Sequence, residues 1–246
     1  HIRGYIMSNP TAAMVVIGDE IIMGRTQDVN VKYLAQELTL VGIDLKEVRI
    51  VGDLTNDIVL AVNSLRENYR YVFTSGGIGP THDDITSDAI AKAFCVSIDI
   101  RADALAILKS YYEKTNTELN SARLRMARIP ESATLINNSI SGAPGFKIGN
   151  VLVMAGVPKI FQSMLRDVLP SLVYGTPIKS ESIRVETPEG ELAQLLKNFA
   201  ASFPDLAFAS YPFREIGLLG TNIVIRGKKQ TKIDTAKYKL LKKLNQ

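Results

Sequence analysis

The chain has 246 residues, 46% of them apolar and 22% charged, with a formal net charge of +4. That length suits one large domain or a main domain with a small companion, and the apolar content is enough for a core. No apolar run approaches the roughly eighteen residues a membrane-spanning helix needs, and the opening residues lack a signal-peptide core, so a cytoplasmic protein is expected.

His1–Tyr5 read as residues upstream of the folded chain. Ala12–Ile17 is a continuous apolar run, as expected of a strand buried on both faces. Residues 30–41 repeat apolar side chains at Val31, Leu34, Ala35, Leu38 and Val41, a helical stripe that Gly42 ends. Residues 45–51 form a second strand, and a helix follows from Asn56 as N-cap, with Ile58, Val59, Val62 and Leu65 on one side. Tyr71–Phe73 is the third strand, and residues 88–94 are helix-like. Residues 102–112 and 120–128 are predicted helical, the latter stopped by Pro130. Val151–Met154 is another strand, followed by a turn and a helix to Leu169. The single cysteine, Cys95, excludes an intramolecular disulfide and, among Ala93, Phe94 and Val96, reads as a buried apolar thiol.

Strands alternating with helices predict an α/β fold, a three-layer sandwich with a mostly parallel sheet. Beyond Leu169 the texture changes, with Pro170, Gly175 and Pro177 marking a linker. Strand (183–185), helix (191–199), strand (207–209), strand (221–225) and helix then predict a small α+β module. The domains are therefore placed at 10–172 and 176–246. Eight basic residues between Arg226 and Lys243 face Asp234 alone. They read as the solvated face of a helix with Ile233, Ala236, Leu240 and Leu241 inward, because few aromatics interleave with them; a nucleic-acid partner is not expected.

Ligands of open α/β sheets bind beyond the carboxyl ends of the strands. Residues 74–86, TSGGIGPTHDDIT, follow the third strand and combine three glycines with adjacent carboxylates. Such a turn lets backbone N–H groups approach an anion, which makes Ser75, Gly76, Gly77, Gly79 and Thr86 candidate ligand contacts. Carboxylates there would repel phosphate, so they imply a metal ion or a reacting group. Other strand ends carry Gly18, Asp19 and Glu20, then Asp53, then Gly156 and Lys159 as candidate ligand contacts. Asp53 and Asp84 come from neighbouring strand ends and are the candidate catalytic acids. Each residue also has a plainer reading: Asp84 or Thr86 as a helix N-cap, His82 as an exposed turn residue, Lys159 as a surface lysine. The carboxylates suit Mg²⁺ or another hard divalent ion bridging to substrate phosphates. No HExxH, CxxC, GxSxG or Walker pattern occurs.

Residues 18–30 (GDEIIMGRTQDVN), Gly52-Asp53 and residues 74–86 resemble the MoaB/Mog molybdopterin-binding domain family, with the closest likeness to the N-terminal part of CinA, a competence/damage-inducible protein. The same strings are similar to the molybdopterin-binding-like domain of eukaryotic FAD synthases. GAPGF (142–146) and MAGVP (154–158) resemble later family elements. The resemblance spans residues 12–169 and implies a homo-oligomer binding a pterin or a nucleotide pyrophosphate. It implies Glu20 and Asp84 as metal ligands (Mg, Mn or Co), with molybdopterin a further possible ligand. CinA-type domains imply metal-dependent hydrolysis of ADP-ribose, FAD-synthase relatives hydrolysis of FAD, and the Mog branch adenylyl transfer to molybdopterin. Ser75 stands for the usual threonine, Ala155 for a proline, and no counterpart of the CinA amidohydrolase domain follows. The expected function is a divalent-metal-dependent dinucleotide pyrophosphatase; the alternatives are a non-catalytic pterin- or nucleotide-binding module and a molybdopterin adenylyltransferase.

Overall fold

The first strand, β1 (Thr11–Ile17), explains the layering of the larger unit. Ala13, Val15 and Ile17 enter one core, while Ala12, Met14 and Val16 enter another on the opposite face. Successive strand side chains point to opposite faces, so a strand apolar at every position must be covered on both. The computed structural model describes residues 8–215 and 217–244, so the expected upstream segment His1–Tyr5 lies outside the described residues.

The chain continues through α1 (Asp19–Ile22), α2 (Asn30–Leu40), β2 (Asp44–Val51), α3 (Thr55–Asn68), β3 (Tyr71–Ser75) and α4 (Thr86–Phe94). Then come β4 (Ile98–Ile100), α5 (Ala102–Lys114), α6 (Ser121–Leu124), β5 (Arg128–Pro130), β6 (Thr134–Ile136), β7 (Gly145–Ile148), β8 (Val151–Met154) and α7 (Pro158–Val168). Six strands make one sheet in the order β2-β1-β3-β8-β7-β6. The pairings β2-β1, β1-β3 and β3-β8 are parallel, and β7 is antiparallel to both its neighbours. Ile58, Leu65, Ile90 and Leu108 bring α3, α4 and α5 onto one face; Leu34, Leu38, Phe161 and Leu165 bring α2 and α7 onto the other. The result is the three-layer α/β sandwich with a mostly parallel sheet that the sequence predicts.

The chain divides into two units, His1–Gly175 and Thr176–Gln246. The second comprises β9 (Lys179–Val185), α8 (Glu189–Ala201), β10 (Ala207–Glu215), β11 (Leu218–Gly227) and α9 (Gln230–Leu244). Its antiparallel sheet, ordered β10-β11-β9, lays Ile183, Ile223 and Ile225 against Leu192, Phe199, Ile233 and Leu240. This is the expected small α+β module. Among the described residues no helix is long and apolar enough to cross a membrane.

Several local expectations are corrected. Strands β4 to β7 carry three or four residues each, too few for alternation to register in the sequence. The helix expected over 120–128 is found as α6, whose N-cap Asn120 accepts from the Arg123 amide at 3.0 Å, continued by a 3-10 turn over Arg125–Ala127; only its last residue departs, because Arg128–Pro130 is drawn into β5 by pairing with β4. Asn56 lies inside α3, one residue past its start, and its Oδ1 accepts from Lys92 Nζ at 3.1 Å. Cys95 is exposed, because α4 stops at Phe94 and Cys95 takes the left-handed C-cap with φ 54°. Leu241 is 37% exposed, with Ile233, Ala236 and Leu240 taking the buried face of α9.

Phe73 is fully buried in the middle of the sheet. Phe73→Ala is expected to lower stability to urea by about 3–5 kcal/mol. Leu60→Ala, on the exposed side of α3, is expected to stay within about 0.5 kcal/mol of wild type.

Candidate functional site

The strand ends approach one another so closely that side chains are excluded. A Cβ on Gly76 would lie 2.1 Å from the Ile17 carbonyl oxygen, and Gly76 sits at φ 112°, where an L side chain is strained. A Cβ on Gly156 would lie 3.2 Å from Gly76 Cα. The Gly76 amide donates to Met154 O at 3.1 Å, and the Gly18 amide donates to Val51 O at 3.1 Å. The ends of β1, β2, β3 and β8 thereby form one edge. Behind it Asn30, buried at the start of α2, donates through Nδ2 to Ser75 Oγ and to Gly156 O, both at 2.8 Å. One amide thus ties α2, β3 and the turn before α7 together.

This edge floors a cavity of about 640 Å³, within the range typical of small-molecule sites. Glu20, Asp53, Asp84, Gly76, Gly77, Gly79 and Gly156 all line it. Ser75 and Thr86 are buried. The Thr86 amide donates to Gly77 O at 2.9 Å, and a Cβ on Gly77 would meet Thr86 Oγ1 at 2.1 Å. Thr86 Oγ1 and Asn30 Oδ1 have no hydrogen-bond partner. Lys159 is exposed in the first turn of α7 and is not part of the cavity wall. His82 is fully in solvent, its side chain 99% exposed.

The acids are arranged reciprocally. The Asp19 amide donates to Asp53 Oδ2 at 2.9 Å, and the Asp53 amide donates to Asp19 Oδ1 at 3.2 Å. Gly52 makes room, since a Cβ there would sit 2.5 Å from Asp19 Oδ1. Burial raises the Asp53 carboxyl above its usual value of 3.8; the charges of Asp19, Glu20 and Asp83 raise it further, against the lowering bond from the Asp19 amide. Asp84 is held differently: the Thr81 amide and hydroxyl donate to its Oδ2 at 2.8 and 2.6 Å. Neither Asp84 nor Thr86 caps α4; its N-cap position is Ile85.

Asp83 lines the cavity beside Asp84, and the sequence reading did not select it, although its place in the DD doublet was a visible signal. Thr26, Tyr112, Met126 and Asn138 also line the wall. They come from loops and helix ends that no strand-end rule marks.

Among the described residues no three His, Cys, Asp or Glu side chains are grouped as a self-sufficient metal site. Asp19, Glu20 and Asp83 are nonetheless close enough to Asp53 for their charges to raise it. Such oxygen donors fit an ion like Mg²⁺, which is commonly held by one or two carboxylates together with substrate phosphates. They fit a metal that arrives with a phosphorylated ligand.

Residues 13–173 match the family described as "Probable molybdopterin binding domain", and residues 177–246 match "FAD synthase, middle domain". A protein of Aeropyrum pernix is 30% identical over 213 residues, which is 83% of this chain and 80% of that protein. A "Probable FAD synthase" of Caenorhabditis elegans is 33% identical over 226 residues, 82% of this chain; the chain spans only 44% of that relative. Among solved structures, the protein CinA of Thermoplasma acidophilum, titled as of unknown function, aligns with a TM-score of 0.61 at 33% identity, over 65% of this chain and 98% of that one.

Two outcomes follow from the geometry. Gly76→Ala drives a Cβ into backbone and is expected to destabilise the fold strongly; Gly24→Ala, at φ 69° with open space around it, is expected to cost only the left-handed strain of about 1–2 kcal/mol. Urea unfolding of both variants measures the contrast. Because the fold raises the Asp53 carboxyl, its stabilising contribution is present below the ordinary carboxylate range and is lost as pH rises through the folded value. Asp53→Asn keeps an oxygen to accept from the Asp19 amide and removes the charge. Its Tm is therefore expected to exceed that of wild type at neutral pH and to converge with it in acid.

Proposed function

The chain belongs to the family of probable molybdopterin binding domains, and from that membership we propose a divalent-metal-dependent pyrophosphatase of the dinucleotide class that contains FAD and ADP-ribose. The observation carrying the proposal is the coincidence of a glycine floor with Asp53, a carboxyl raised by burial and by neighbouring acids. Phosphate alone would be repelled by such a wall, whereas a metal pyrophosphate brings a cation to the acids. The second unit's match to the FAD synthase middle domain and the C. elegans relative support a nucleotide as the ligand.

Glu20 and the Asp83–Asp84 pair are the oxygen donors that would hold the ion, which when bound would neutralise charge building on the pyrophosphate. Gly76, Gly77 and Gly79 line the cavity with backbone, and the loop's N–H groups would meet the phosphates there. Asp53 Oδ2 accepts from the Asp19 amide, which orients the carboxylate; Oδ1 is the atom that takes the proton of an attacking water. The water oxygen bonds to one phosphorus as the bond from that phosphorus to the bridging oxygen breaks, giving two phosphate monoesters (FMN and AMP from FAD, ribose 5-phosphate and AMP from ADP-ribose) and releasing the proton. The lack of a three-ligand metal cluster among the described residues favours a second reading, pterin or nucleotide binding without turnover. Molybdopterin adenylyl transfer would use the same acids.

The test is hydrolysis of FAD and ADP-ribose with Mg²⁺, Mn²⁺ or Co²⁺. Wild type is expected to release mononucleotides only with metal present, and Asp53→Asn to lower the rate by about 10²-fold or more. No turnover of any such substrate by wild type would sink the pyrophosphatase. Turnover indifferent to Asp53→Asn, Glu20→Gln and Asp84→Ala would move the chemistry elsewhere.

A further inference from the structure

The cavity changes character across the sheet. Its glycines and acids come from the ends of β1, β2, β3 and β8, whereas Asn138, Ser141 and Ala143 on the same wall belong to the loop joining β6 to β7. Strand order puts β7 three spacings from β1, about 14 Å at the ~4.8 Å separation of paired strands. The wall therefore extends well past the space one phosphate occupies.

At this far end α5 closes onto the loop. Tyr111 donates its hydroxyl to Ile140 O at 3.2 Å, and a Cβ on Gly142 would lie 2.4 Å from Tyr111 Cγ, so loop and helix end are in direct contact. Tyr112, the next residue, lines the cavity together with Met126. Its ring is fixed from two sides: the Arg123 guanidinium lies over it at 5.0 Å from the centroid, and the Tyr111 ring meets it edge-on at 5.4 Å. Arg125, adjacent to Met126, donates to Asp84 O at 3.5 Å, which links this segment to the acidic loop. The face of an aromatic ring and a thioether sulfur offer a phosphate no strong hydrogen-bond donor. They match a flat, polarizable ring, which stacks on aromatic faces and packs against sulfur.

We propose that Tyr112 and Met126 form a stacking subsite for a planar heteroaromatic ring (flavin, pterin or purine) joined to the phosphates at the glycine end. The proposal rests on the reading of that end as a phosphate site. It assigns Tyr112 to ligand binding and leaves proton transfer to the acids. Asn138 positions the adjoining wall, donating to Ser141 Oγ at 2.6 Å and Ala143 O at 2.8 Å.

The test is equilibrium binding of FMN, AMP and inorganic pyrophosphate, each with Mg²⁺, to wild type, Tyr112→Ala and Tyr112→Phe. Wild type is expected to bind pyrophosphate and at least one nucleotide, and the tighter nucleotide identifies the ring. Tyr112→Ala is expected to weaken that nucleotide about tenfold, in the range of one lost stacking contact, and to leave pyrophosphate unchanged. Tyr112→Phe is expected to restore it. Nucleotide binding indifferent to Tyr112→Ala, or pyrophosphate lost in equal measure, overturns the subsite. So does a wild type that binds pyrophosphate and neither nucleotide. Nucleotide binding that depends on Tyr112, without pyrophosphate binding, upholds the subsite and overturns the metal–pyrophosphate reading instead.

Discussion

Gly76 packs against the Ile17 carbonyl with no room for a side chain, and the larger unit is organised by that approach. It brings the end of β3 against the end of β1, and Gly156 brings the turn after β8 against Gly76 itself. The backbone there would otherwise have to be spread by side chains, and the cavity floor would open. Asn30 reinforces the join from behind, because its single amide nitrogen satisfies both a β3 hydroxyl and a turn carbonyl. A buried donor with two acceptors is costly to disturb, since each acceptor loses its partner when the donor goes.

That close packing sets the electrostatics. Strand ends that meet bring their acids with them, so Asp19, Glu20 and Asp83 all act on the Asp53 carboxyl. The reciprocal amide bonds between Asp19 and Asp53 hold two like charges near each other, and Asp53 is raised by its burial first and by these charges second, against the lowering bond from the Asp19 amide. Folding tolerates such repulsion when a site needs it, and perturbed carboxyls cluster where function does. Asp84 is held within its own turn, where Thr81 engages it twice. Its contribution divides between shaping the loop around Gly79, where a Cβ would lie 2.7 Å from Asp84 Oδ2, and facing the cavity.

The second unit is built on different terms. Its antiparallel sheet packs against α8 and α9, and Lys239, Lys242 and Lys243 of α9 place their ammonium groups over the rings of Phe203, Tyr238 and Phe199. Basic residues there cover apolar surface as well as meeting water. Its strands extend several residues beyond the apolar segments that mark them in the sequence, because β11 pairs along its length with both β10 and β9.

Long periodic elements were legible from the sequence alone. The apolar run of β1, the stripe of α2 ending at Gly42 and the all-apolar β8 carry their own period, and each is found in place. So were the glycine turn and the acids after β1 and β2, since a turn needing three glycines beside two carboxylates has few structural explanations. The short strands β4 to β7 and the exposure of Cys95 were not, because three-residue pairings and a left-handed cap depend on partners distant in sequence. The same limit hid Tyr112 and Met126, and the bonds Asn30 makes at the end of the 18–30 motif, because these roles exist only once α2, α5 and the segment before β5 are packed around the strand ends. Sequence by itself determined the layers and the chemical character of one loop, through local periodicity and turn chemistry. Tertiary structure decided which acids share a field and what stands at the far end of the cavity, because Coulomb interaction and packing act across space.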